Sequence, residues 1–564
     1  MIKKISFENY KAFDKGEIRI EPITILLGAN SVGKSSIIQL LLLLQQTALS
    51  DKYKSALRLN GQYVSLGENE NLFKDKDTSK ELIINLQFED NSFLDFFKEL
   101  QSQLISSVIG PIKFFEPYYY HSAKNLDKTV LARIKKLSKN LSIRTKQDFL
   151  KLIEECEDLK KSLPKRPRIF EKEFMLFEDS EIDTMYNQKF EYTAEMKSIY
   201  CNMFDLLTKA SDLNNTFDLS FSIANIKSKL DNVLKVTRVK LQNNGHSILD
   251  IILEIDKSKK CYSMVTLNSA FVKSKSLIDE FSKKQLLTNL NYDSTLFYLF
   301  STKERERFYY DFKNNSIINN IISNIFYKSI KTLRNIFGRE LVNYVSPLRA
   351  HPKRYYFLDK AKINTSLDTL DGDSLTEILK ENKVVKSKVN KWLKKFDLSV
   401  DVDTLQDVIH KLKVRQSGLS LDITDVGFGI SQVLPVIVQG FLSFSQSLTI
   451  IEQPEIHLHP KMQADLADLF IDVAFPTKGR KSVKYLLIET HSEYLLKRLR
   501  RRLSESKGEL TSNVAIYFFN PKNDSNTGII EEKKINENGA FDWPPNFYSG
   551  ELLKDTIEFI KNQK

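Results

Sequence analysis

Cysteine is scarce in this sequence of 564 residues. The three that occur, Cys156, Cys201 and Cys261, are widely spaced and odd in number. This usage excludes a disulfide framework and a cysteine-built metal cluster. It is typical of proteins in a reducing compartment, and we expect a cytoplasmic location.

Long apolar runs are also missing. The longest apolar block, residues 37–44, is interrupted by Gln39 and is far shorter than the roughly 20 residues needed to span a bilayer. The opening segment MIKKISFENYKAF has no apolar stretch of signal-peptide length and predicts a strand instead. We therefore expect neither a membrane span nor a secretory leader, and no repeat period or low-complexity tract is visible.

The overall balance is that of an ordinary globular protein, with 41% apolar and 28% charged residues. A chain of this length exceeds what one core usually supports, which predicts several domains or one domain with a large insertion. The net charge of +12 favours contact with a polyanion such as DNA. A generally lysine-rich composition explains the same charge, and both interpretations stay open.

Three regions of the sequence differ in their pattern of apolar and polar residues. Residues 1–95 predict short strands and one helix, and residues 340–564 predict apolar strands that alternate with helices. Such alternation indicates an α/β fold with a mainly parallel sheet covered on both faces. Residues 96–339 have apolar residues at helical spacing and predict a mostly helical insertion, although alternation in NTFDLSFSI and HSILDIILEI indicates strands within it.

The first candidate site is the segment GANSVGKS, which follows the apolar strand TILL and precedes an apolar helix. It matches the phosphate-binding loop pattern in the context that such loops require. Backbone N–H groups freed by the glycines can close around a β-phosphate, Lys34 neutralises the β and γ oxygens, and Ser35 offers a hydroxyl to Mg²⁺. A chance glycine turn is the alternative. The predicted ATP contacts are Gly28, Asn30, Ser31, Val32, Gly33, Lys34, Ser35 and Ser36.

The second candidate is the apolar strand SLTIIE, which ends at Glu452 and leads to Gln453, Pro454 and Glu455. A carboxylate at the tip of a buried parallel strand beside a phosphate loop is the Walker B arrangement, which holds Mg²⁺ through water. An ordinary solvated strand end is the alternative, and it fits poorly with so apolar a run. Ser35 and Glu452 are the predicted metal-site residues.

The third candidate follows the apolar strand KYLLIE, where Thr490, His491 and Ser492 open a helix. His491 can contact a γ-phosphate from across the sheet. Alternatively, Thr490 or Ser492 caps the helix and the histidine is incidental. The order and spacing of the motifs favour the phosphate contact.

The fourth candidate is the glycine-rich segment DVGFGISQ, which opens another helix. Helix N-termini bind phosphate through free N–H groups and the helix dipole. This turn is thus suited to a nucleotide held by a second subunit, and a tight structural turn is the rival interpretation. The candidate nucleotide contacts are Asp425, Gly427, Gly429 and Ser431.

Taken in order, GANSVGKS, DVGFGISQ, IIEQPEIHLHP and ETHSEY resemble the ABC-type ATPase heads of the RecF, SMC and OLD-like group. The resemblance is closest to the AAA-type ATPases of bacterial stand-alone or phage-defence operons, and it covers about residues 1–90 and 340–550. It implies an ABC-type P-loop NTPase head that uses ATP and Mg²⁺. In such heads two subunits enclose two ATP molecules, which implies a homodimer or higher homo-oligomer.

The resemblance also implies residue roles. Glu452 is the Mg²⁺ carboxylate, His491 senses the γ-phosphate, and residues 457–459 lie near the dimer seam. A metal site at His457 and His459 is the alternative for those two, but the sequence offers no third ligand. The signature serine of the family is ambiguous, because alignment on Gly427 places Asp425 there while Ser431 follows later.

One departure concerns catalysis. The position after the Walker B acid, where these heads carry the glutamate that activates water, is Gln453. An amide cannot accept that proton. Either Glu455 or another group supplies the base, or hydrolysis is slow without a partner and the chain works as an ATP-held clamp.

The function implied is an ATP-hydrolysing switch that controls a separate effector, such as a nuclease or toxin, in anti-phage defence. The residues that follow His491 lack the paired acidic motif of a Toprim nuclease domain. A DNA-repair or chromosome-associated clamp is the alternative, and the basic run at residues 497–502 either contacts DNA or forms a solvated helix face.

Overall fold

The structure is a computed structural model that describes most of the chain. The described residues are 1–51, 53–121, 127–138, 143–162, 193–211, 214–227, 232–256, 259–268, 290–300, 316–338, 341–357, 367, 372–406, 408–476, 483–520, 528–536, 538–542 and 557–562. Much of the predicted insertion, including residues 163–192, 269–289 and 301–315, therefore lies outside them.

The described elements are strands, α-helices and short 3-10 turns. The strands are β1 (Ile2–Tyr10), β2 (Phe13–Arg19), β3 (Ile23–Gly28), β4 (Leu82–Glu89), β5 (Thr216–Lys227), β6 (Asn232–Asn243), β7 (His246–Asp256), β8 (Cys261–Asn268), β9 (Val342–Val345), β10 (Tyr356–Phe357), β11 (Leu398–Gln406), β12 (Ile409–Gln416), β13 (Leu419–Asp422), β14 (Leu448–Glu452), β15 (Tyr485–Glu489), β16 (Val514–Asn520) and β17 (Ile529–Lys533). The helices are α1 (Lys34–Ala48), α2 (Ser92–His121), α3 (Lys128–Ser138), α4 (Lys146–Ser162), α5 (Ala194–Ser211), α6 (Ser316–Gly338), α7 (Asp373–Glu381), α8 (Lys383–Leu393), α9 (Phe428–Leu442), α10 (Pro460–Ala474) and α11 (Glu493–Glu505).

The central sheet has six strands in the order β17-β16-β3-β15-β14-β9. Strands β16, β3, β15, β14 and β9 run parallel, and β17 pairs antiparallel with β16 at one edge. The strands β3, β14 and β15 are almost entirely buried, which explains their unbroken apolar sequences. The predicted mainly parallel sheet is confirmed.

The central sheet separates two hydrophobic cores. Side chains alternate across each strand, so Leu26 and Leu487 pack into one core with helix α1, whereas Ile25 and Ile488 pack into the other. Helices α9, α10 and α11 belong to that second core. The helix after the phosphate loop and the helix after the glycine-rich turn therefore cover opposite faces of the sheet.

A second, antiparallel sheet joins the N-terminal region to the predicted insertion. Its order is β2-β1-β4-β5-β6-β7-β8, and β4 pairs with β5 along the full length of β4. The alternating segments NTFDLSFSI and HSILDIILEI form most of β5 and β7, as their period predicts. Within the described part of residues 96–339, helices α2 to α6 accompany these strands, so the insertion extends the sheet of the head as well as adding helices.

A small antiparallel sheet, with β12 between β10 and β11 and β13 paired to β12, precedes the glycine-rich turn. Helix α9 follows and ends against the buried Lys484, whose ammonium group donates to the carbonyl oxygens of Gly440 (3.0 Å) and Phe441 (3.1 Å). A cation at this position complements the negative end of the helix dipole. Burial nevertheless lowers the pKa of Lys484 to about 8.

None of the described helices has the length and apolar character that crossing a membrane requires. Cys156 and Cys201 are buried free thiols, and Cys261 is a partly exposed one.

Candidate functional site

The phosphate loop leaves β3 at Gly28 and enters α1 at Lys34, with its two glycines in the left-handed region at φ values of 139° for Gly28 and 104° for Gly33. A Cβ on Gly28 would lie 2.5 Å from the carbonyl oxygen of Phe519, and one on Gly33 would lie 2.5 Å from the ring of Phe13. Both positions thus require glycine for backbone conformation and for space.

The other loop residues complete a short open turn. Asn30 and Ser31 are exposed, and Ser31 has a positive φ of 63°. Val32 is buried beneath the loop. Ser36 lies in the first turn of α1, where its N–H donates to the Gly33 carbonyl oxygen and its own carbonyl oxygen accepts from the Tyr10 hydroxyl. The free N–H groups of this helix start form the type of site that binds phosphate.

Lys34 lies inside the loop and is only 3% exposed. Its ammonium group donates to the carbonyl oxygens of Gly28 (3.0 Å) and Ala29 (2.7 Å), and it lies 3.7 Å from a carboxylate oxygen of Glu489. Burial lowers the pKa of Lys34, and the charge of Glu489 acts against that shift. The positive charge is therefore held at the mouth of the loop.

Two carboxylates end adjacent parallel strands beside this lysine. Glu452 of β14 and Glu489 of β15 are direct partners in the strand register, which places their carboxyl groups close enough to interact electrostatically. Glu452 also accepts from the Tyr344 hydroxyl (2.7 Å), and Glu489 accepts from the Ser35 hydroxyl (3.3 Å). Burial raises the pKa of both groups, that of Glu452 to about 7, with the neighbouring carboxyl adding to the shift of Glu452.

These residues fit a divalent cation. The Ser35 hydroxyl and two facing carboxylates are the hard oxygen ligands that Mg²⁺ prefers, and a cation would relieve the repulsion between the two acids. No described hydrogen bond joins Ser35 and Glu452, the two predicted metal-site residues. Glu489 links them, because it contacts both.

Glu455 connects the turn after Glu452 to the start of α11. One of its carboxylate oxygens accepts from the Thr490 hydroxyl (2.8 Å), and the other accepts from the backbone N–H of His491 (2.6 Å). Burial raises the pKa of Glu455 and these two donors act against the shift. With both oxygens bound, Glu455 holds in place the turn that contains Thr490 and His491, called here the histidine turn.

Gln453 lies at the bend after β14. Its backbone has a positive φ of 44°, and its N–H donates to the Glu489 carbonyl oxygen (2.8 Å). A non-glycine residue in this conformation is strained by about 1–2 kcal/mol. The strand pairing between β14 and β15 thus continues one residue past Glu452 and offsets that strain.

Arg349 is a buried cation that joins the glycine-rich helix to the Walker B strand. Its guanidinium donates to the carbonyl oxygens of Gln432 (3.1 Å), Glu452 (2.9 Å) and Gln453 (3.3 Å). Burial lowers its pKa to about 10, and the charge of Glu455 acts against the shift. At this pKa the side chain stays protonated at neutral pH.

His491 lies at the start of α11, with its backbone held by Glu455. Its ring atom Nε2 is buried and has no hydrogen-bond partner among the described residues. Burial lowers the pKa of His491, and the charge of Lys34 adds to the shift. A buried ring nitrogen that lacks a partner beside the phosphate loop fits a phosphate oxygen as its missing partner.

The glycine-rich turn presents a different set of groups. Gly427 is exposed at the start of α9, and a Cβ there would meet nothing within 4 Å. Asp425 pairs with Arg354 at 3.1 Å. Ser431 is buried, and its hydroxyl donates to the carbonyl oxygen of Phe428 (2.7 Å). The structure thus turns Ser431 inward and leaves the backbone near Gly427 facing solvent.

Gly429 and the two histidines of the HLH segment join this turn to the one after β14. A Cβ on Gly429 would lie 2.6 Å from the carbonyl oxygen of His457, so the two turns are in close contact. The ring of His457 packs edge-on against Phe428, with centroids 5.0 Å apart. His459 caps α10, accepting from the Lys461 N–H. In the part of the chain that the structure describes, no cluster of three or more His, Cys, Asp or Glu side chains is placed to hold a metal.

The basic run at residues 497–502 is largely neutralised within the chain. Arg498 and Arg502 pair with Asp468, and Arg501 and Lys497 pair with glutamates one helical turn away. Arg500 lies over the ring of Phe541. This arrangement corresponds to a helix face whose charges are paired within the chain.

The edge formed by the phosphate loop, the strand-end acids and His491 has the architecture of a P-loop ATPase. Family models agree with this class. Residues 1–496 match the AAA ATPase domain, and the chain belongs to that family.

Other comparisons are more remote. The SMC head domain from Thermotoga maritima is similar at 7% sequence identity and a TM-score of 0.32, with 94% of this chain and 98% of that chain covered. No curated protein sequence matches the chain. The assignment of the fold rests on the strand order and loop geometry described above.

Three residues at the site were not among the predicted ones. Glu489 follows four apolar residues in YLLIE, the same pattern that singled out Glu452 in LTIIE, and this repetition was an available signal. Arg349 and Tyr344 lie in the segment YVSPLRAHPKRYY. The pattern of this segment does not indicate which carbonyl oxygens Arg349 donates to, or that Tyr344 donates to a carboxylate.

Proposed function

We propose that this chain is an ATP-hydrolysing switch, in which two heads dimerise around ATP and the resulting change controls a partner effector. The observation that carries the proposal is that the phosphate loop, Glu452 and His491 meet at the carboxyl edge of one parallel sheet. These segments are far apart in the sequence, so only the fold brings them together. Carboxyl edges of this kind are where nucleotides bind in open α/β sheets.

Each residue has a definable task when ATP is bound. The N–H groups at the start of α1 and the Lys34 ammonium bind the phosphates, and the buried Nε2 of His491 is placed to contact the terminal one. Ser35 and Glu452 would hold Mg²⁺, and the ion would supply electrostatic stabilisation of the transferring phosphoryl group. The loop glycines allow the backbone to approach the phosphates closely.

Water activation is the weak step. Gln453 cannot accept a proton, and both oxygens of Glu455 are already bound by Thr490 and His491. Neither residue therefore offers a free base next to Glu452. We expect slow turnover by the isolated chain and faster turnover when a partner completes the site.

Dimerisation is supported by the positions of the two helix starts. Helix α1 and helix α9 lie on opposite faces of the sheet, and the exposed turn at Gly427 directs its backbone outward. Such a turn is suited to bind the nucleotide of a second chain through N–H groups and the helix dipole. Asp425 and Ser431 are engaged within their own chain, so the backbone supplies this contact.

The partner is a separate effector, such as a nuclease or toxin, and anti-phage defence is the role that the sequence resemblance favours. A DNA clamp is the second candidate, since the net charge of +12 favours a polyanion. The internal pairing of the basic run argues against that run as the DNA contact.

Steady-state ATP turnover and sedimentation of the purified chain test the proposal. Wild type should bind ATP and shift to a dimer with it, Lys34→Ala should lose both, and Gln453→Glu should raise turnover while Gln453→Ala does not. Absence of ATP binding by wild type would overturn the proposal. An ATP-dependent DNA affinity that falls steeply with salt would favour the clamp instead.

A further inference from the structure

Glu489 contacts the phosphate loop more directly than the Walker B acid does. Its carboxylate accepts from the Ser35 hydroxyl at 3.3 Å and lies 3.7 Å from the Lys34 ammonium. Glu452 accepts a hydrogen bond from the Tyr344 hydroxyl and lies beside Glu489 in the strand register. The carboxylate nearest the predicted Mg²⁺ ligand Ser35 therefore comes from β15, one strand closer to the loop than β14.

The backbone fixes this carboxylate in place. Glu489 pairs with Leu26 of β3 on one side and with Glu452 of β14 on the other, and its carbonyl oxygen accepts from the Gln453 N–H. The residue is 4% exposed. A buried charge at such a rigid position is costly unless a cation and hydrogen-bond donors compensate it.

A simple ion pair with Lys34 does not account for the arrangement. The described hydrogen bonds of Lys34 go to the carbonyl oxygens of Gly28 and Ala29, and the distance to Glu489 exceeds that of a hydrogen bond. Of the two adjacent acids, the described ion pair of Lys34 reaches Glu489 and not Glu452, so one negative charge remains uncompensated when both acids are ionised. A divalent cation beside Ser35 would compensate it.

We propose that Glu489 is a positioning residue for the Mg²⁺ that accompanies ATP, acting through Ser35. A hydroxyl has one proton and two lone pairs, and donation of that proton to Glu489 fixes the rotor and leaves the lone pairs of Ser35 for the metal. In this arrangement Glu452 would bind the cation, and Glu489 would orient Ser35, the serine that binds it. This inference rests on ATP binding at the phosphate loop.

The test measures how much Mg²⁺ strengthens nucleotide binding. Affinity for the fluorescent analogue mant-ATP is determined in saturating Mg²⁺ and in EDTA for wild type, Glu489→Met, Ser35→Ala and the double variant. Methionine keeps the length of the side chain and suits a buried position. Loss of a group that orients a metal ligand typically costs about 10–100-fold in metal affinity, so Glu489→Met should lower the Mg²⁺ enhancement by that factor and leave binding in EDTA within about twofold.

The double variant distinguishes positioning from general stability. If Glu489 acts through Ser35, Glu489→Met should have no further effect in the Ser35→Ala background. Multiplying effects in the double variant, or an unchanged Mg²⁺ enhancement in Glu489→Met, would refute the inference. Glu505→Met makes the same chemical change on the surface of α11 and should behave as wild type.

Two further outcomes are informative. If Glu489→Met does not fold, Glu489→Gln replaces it, and the inference then requires a several-fold loss of Mg²⁺ enhancement from removal of the charge alone. Wild type that fails to bind mant-ATP in any condition would refute the proposed function itself. Wild type with a normal Mg²⁺ response and an unaffected Glu489 variant would refute only the role of Glu489.

Discussion

Replacing Glu455 with glutamine tests whether this residue is a catalytic base or a structural support for the histidine turn. The structure predicts support, because both carboxylate oxygens accept hydrogen bonds, from the Thr490 hydroxyl at 2.8 Å and from the His491 N–H at 2.6 Å. Hydrogen bonds to a charged group contribute about 1.5–3 kcal/mol each, and neutral ones about half of that. Glutamine keeps the shape but loses the charge and replaces one of the two acceptor oxygens with an NH₂ group, so the turn should weaken by at least about 2–3 kcal/mol.

Hydrogen exchange of the peptide containing His491 measures this weakening locally. A loss of about 2 kcal/mol corresponds to exchange that is roughly 30-fold faster in Glu455→Gln, if the amide exchanges by local opening. Thr490→Val removes the other donor and should speed the same amide. Because both changes break one network, their combined effect should be smaller than the sum.

ATP turnover then decides between the roles. A supporting residue predicts that Glu455→Gln and Thr490→Val lower turnover to a similar degree, in parallel with the exchange rates. Loss of all turnover in Glu455→Gln, with unchanged protection of the His491 amide and little effect of Thr490→Val, would contradict this reasoning and identify Glu455 as the base.

Three other predictions concern the surrounding fold. Since burial lowers the pKa of Lys484 to about 8 from an unfolded value of 10.5, its protonated form is disfavoured in the fold, and wild type should gain about 2 kcal/mol of stability between pH 7.5 and pH 9.5. Lys484→Met should lack this gain when thermal unfolding is compared at the two pH values. Gly33→Ala should reduce mant-ATP affinity by more than about tenfold and destabilise the loop by about 1–3 kcal/mol. The control is Gly110→Ala in α2, where an added Cβ has no atom within 4 Å, and it should have neither effect. Arg498→Ala, which breaks a pair with Asp468, should lower the melting temperature slightly and leave DNA affinity by fluorescence anisotropy within about twofold.

The sequence predicted the parts of the site that depend on local pattern. The phosphate loop has a fixed spacing of glycines and lysine, and the strands that end at Glu452 and precede His491 are unbroken apolar runs, so both follow from the chain alone. Contacts such as that of Arg349 with the carbonyl oxygen of Glu452 depend on how distant segments pack. No local pattern specifies such a contact.

The strands of the insertion show a second limit. Strand β6 reads NVLKVTRVKLQN, in which the basic residues Lys235, Arg238 and Lys240 are unevenly spaced among the apolar ones. Lys235 of this strand is nevertheless 1% exposed, with its ammonium group bound by the carbonyl oxygens of Lys54 and Tyr292 and placed over the Tyr292 ring. A buried lysine breaks the apolar alternation by which strands are recognised, and its partners lie far away in the chain.

The order of the central sheet has a consequence for how the protein is made. Both neighbours of strand β3, β15 and β16, are synthesised long after it, and Ser35 is 454 residues from its partner Glu489. At about 5–20 residues per second, β3 waits on the order of 20–90 s for a neighbour. During that time an apolar strand with two unpaired edges is a target for aggregation and for chaperones. Cotranslational capture of nascent chains by chaperones should therefore persist until β15 and β16 have left the ribosome.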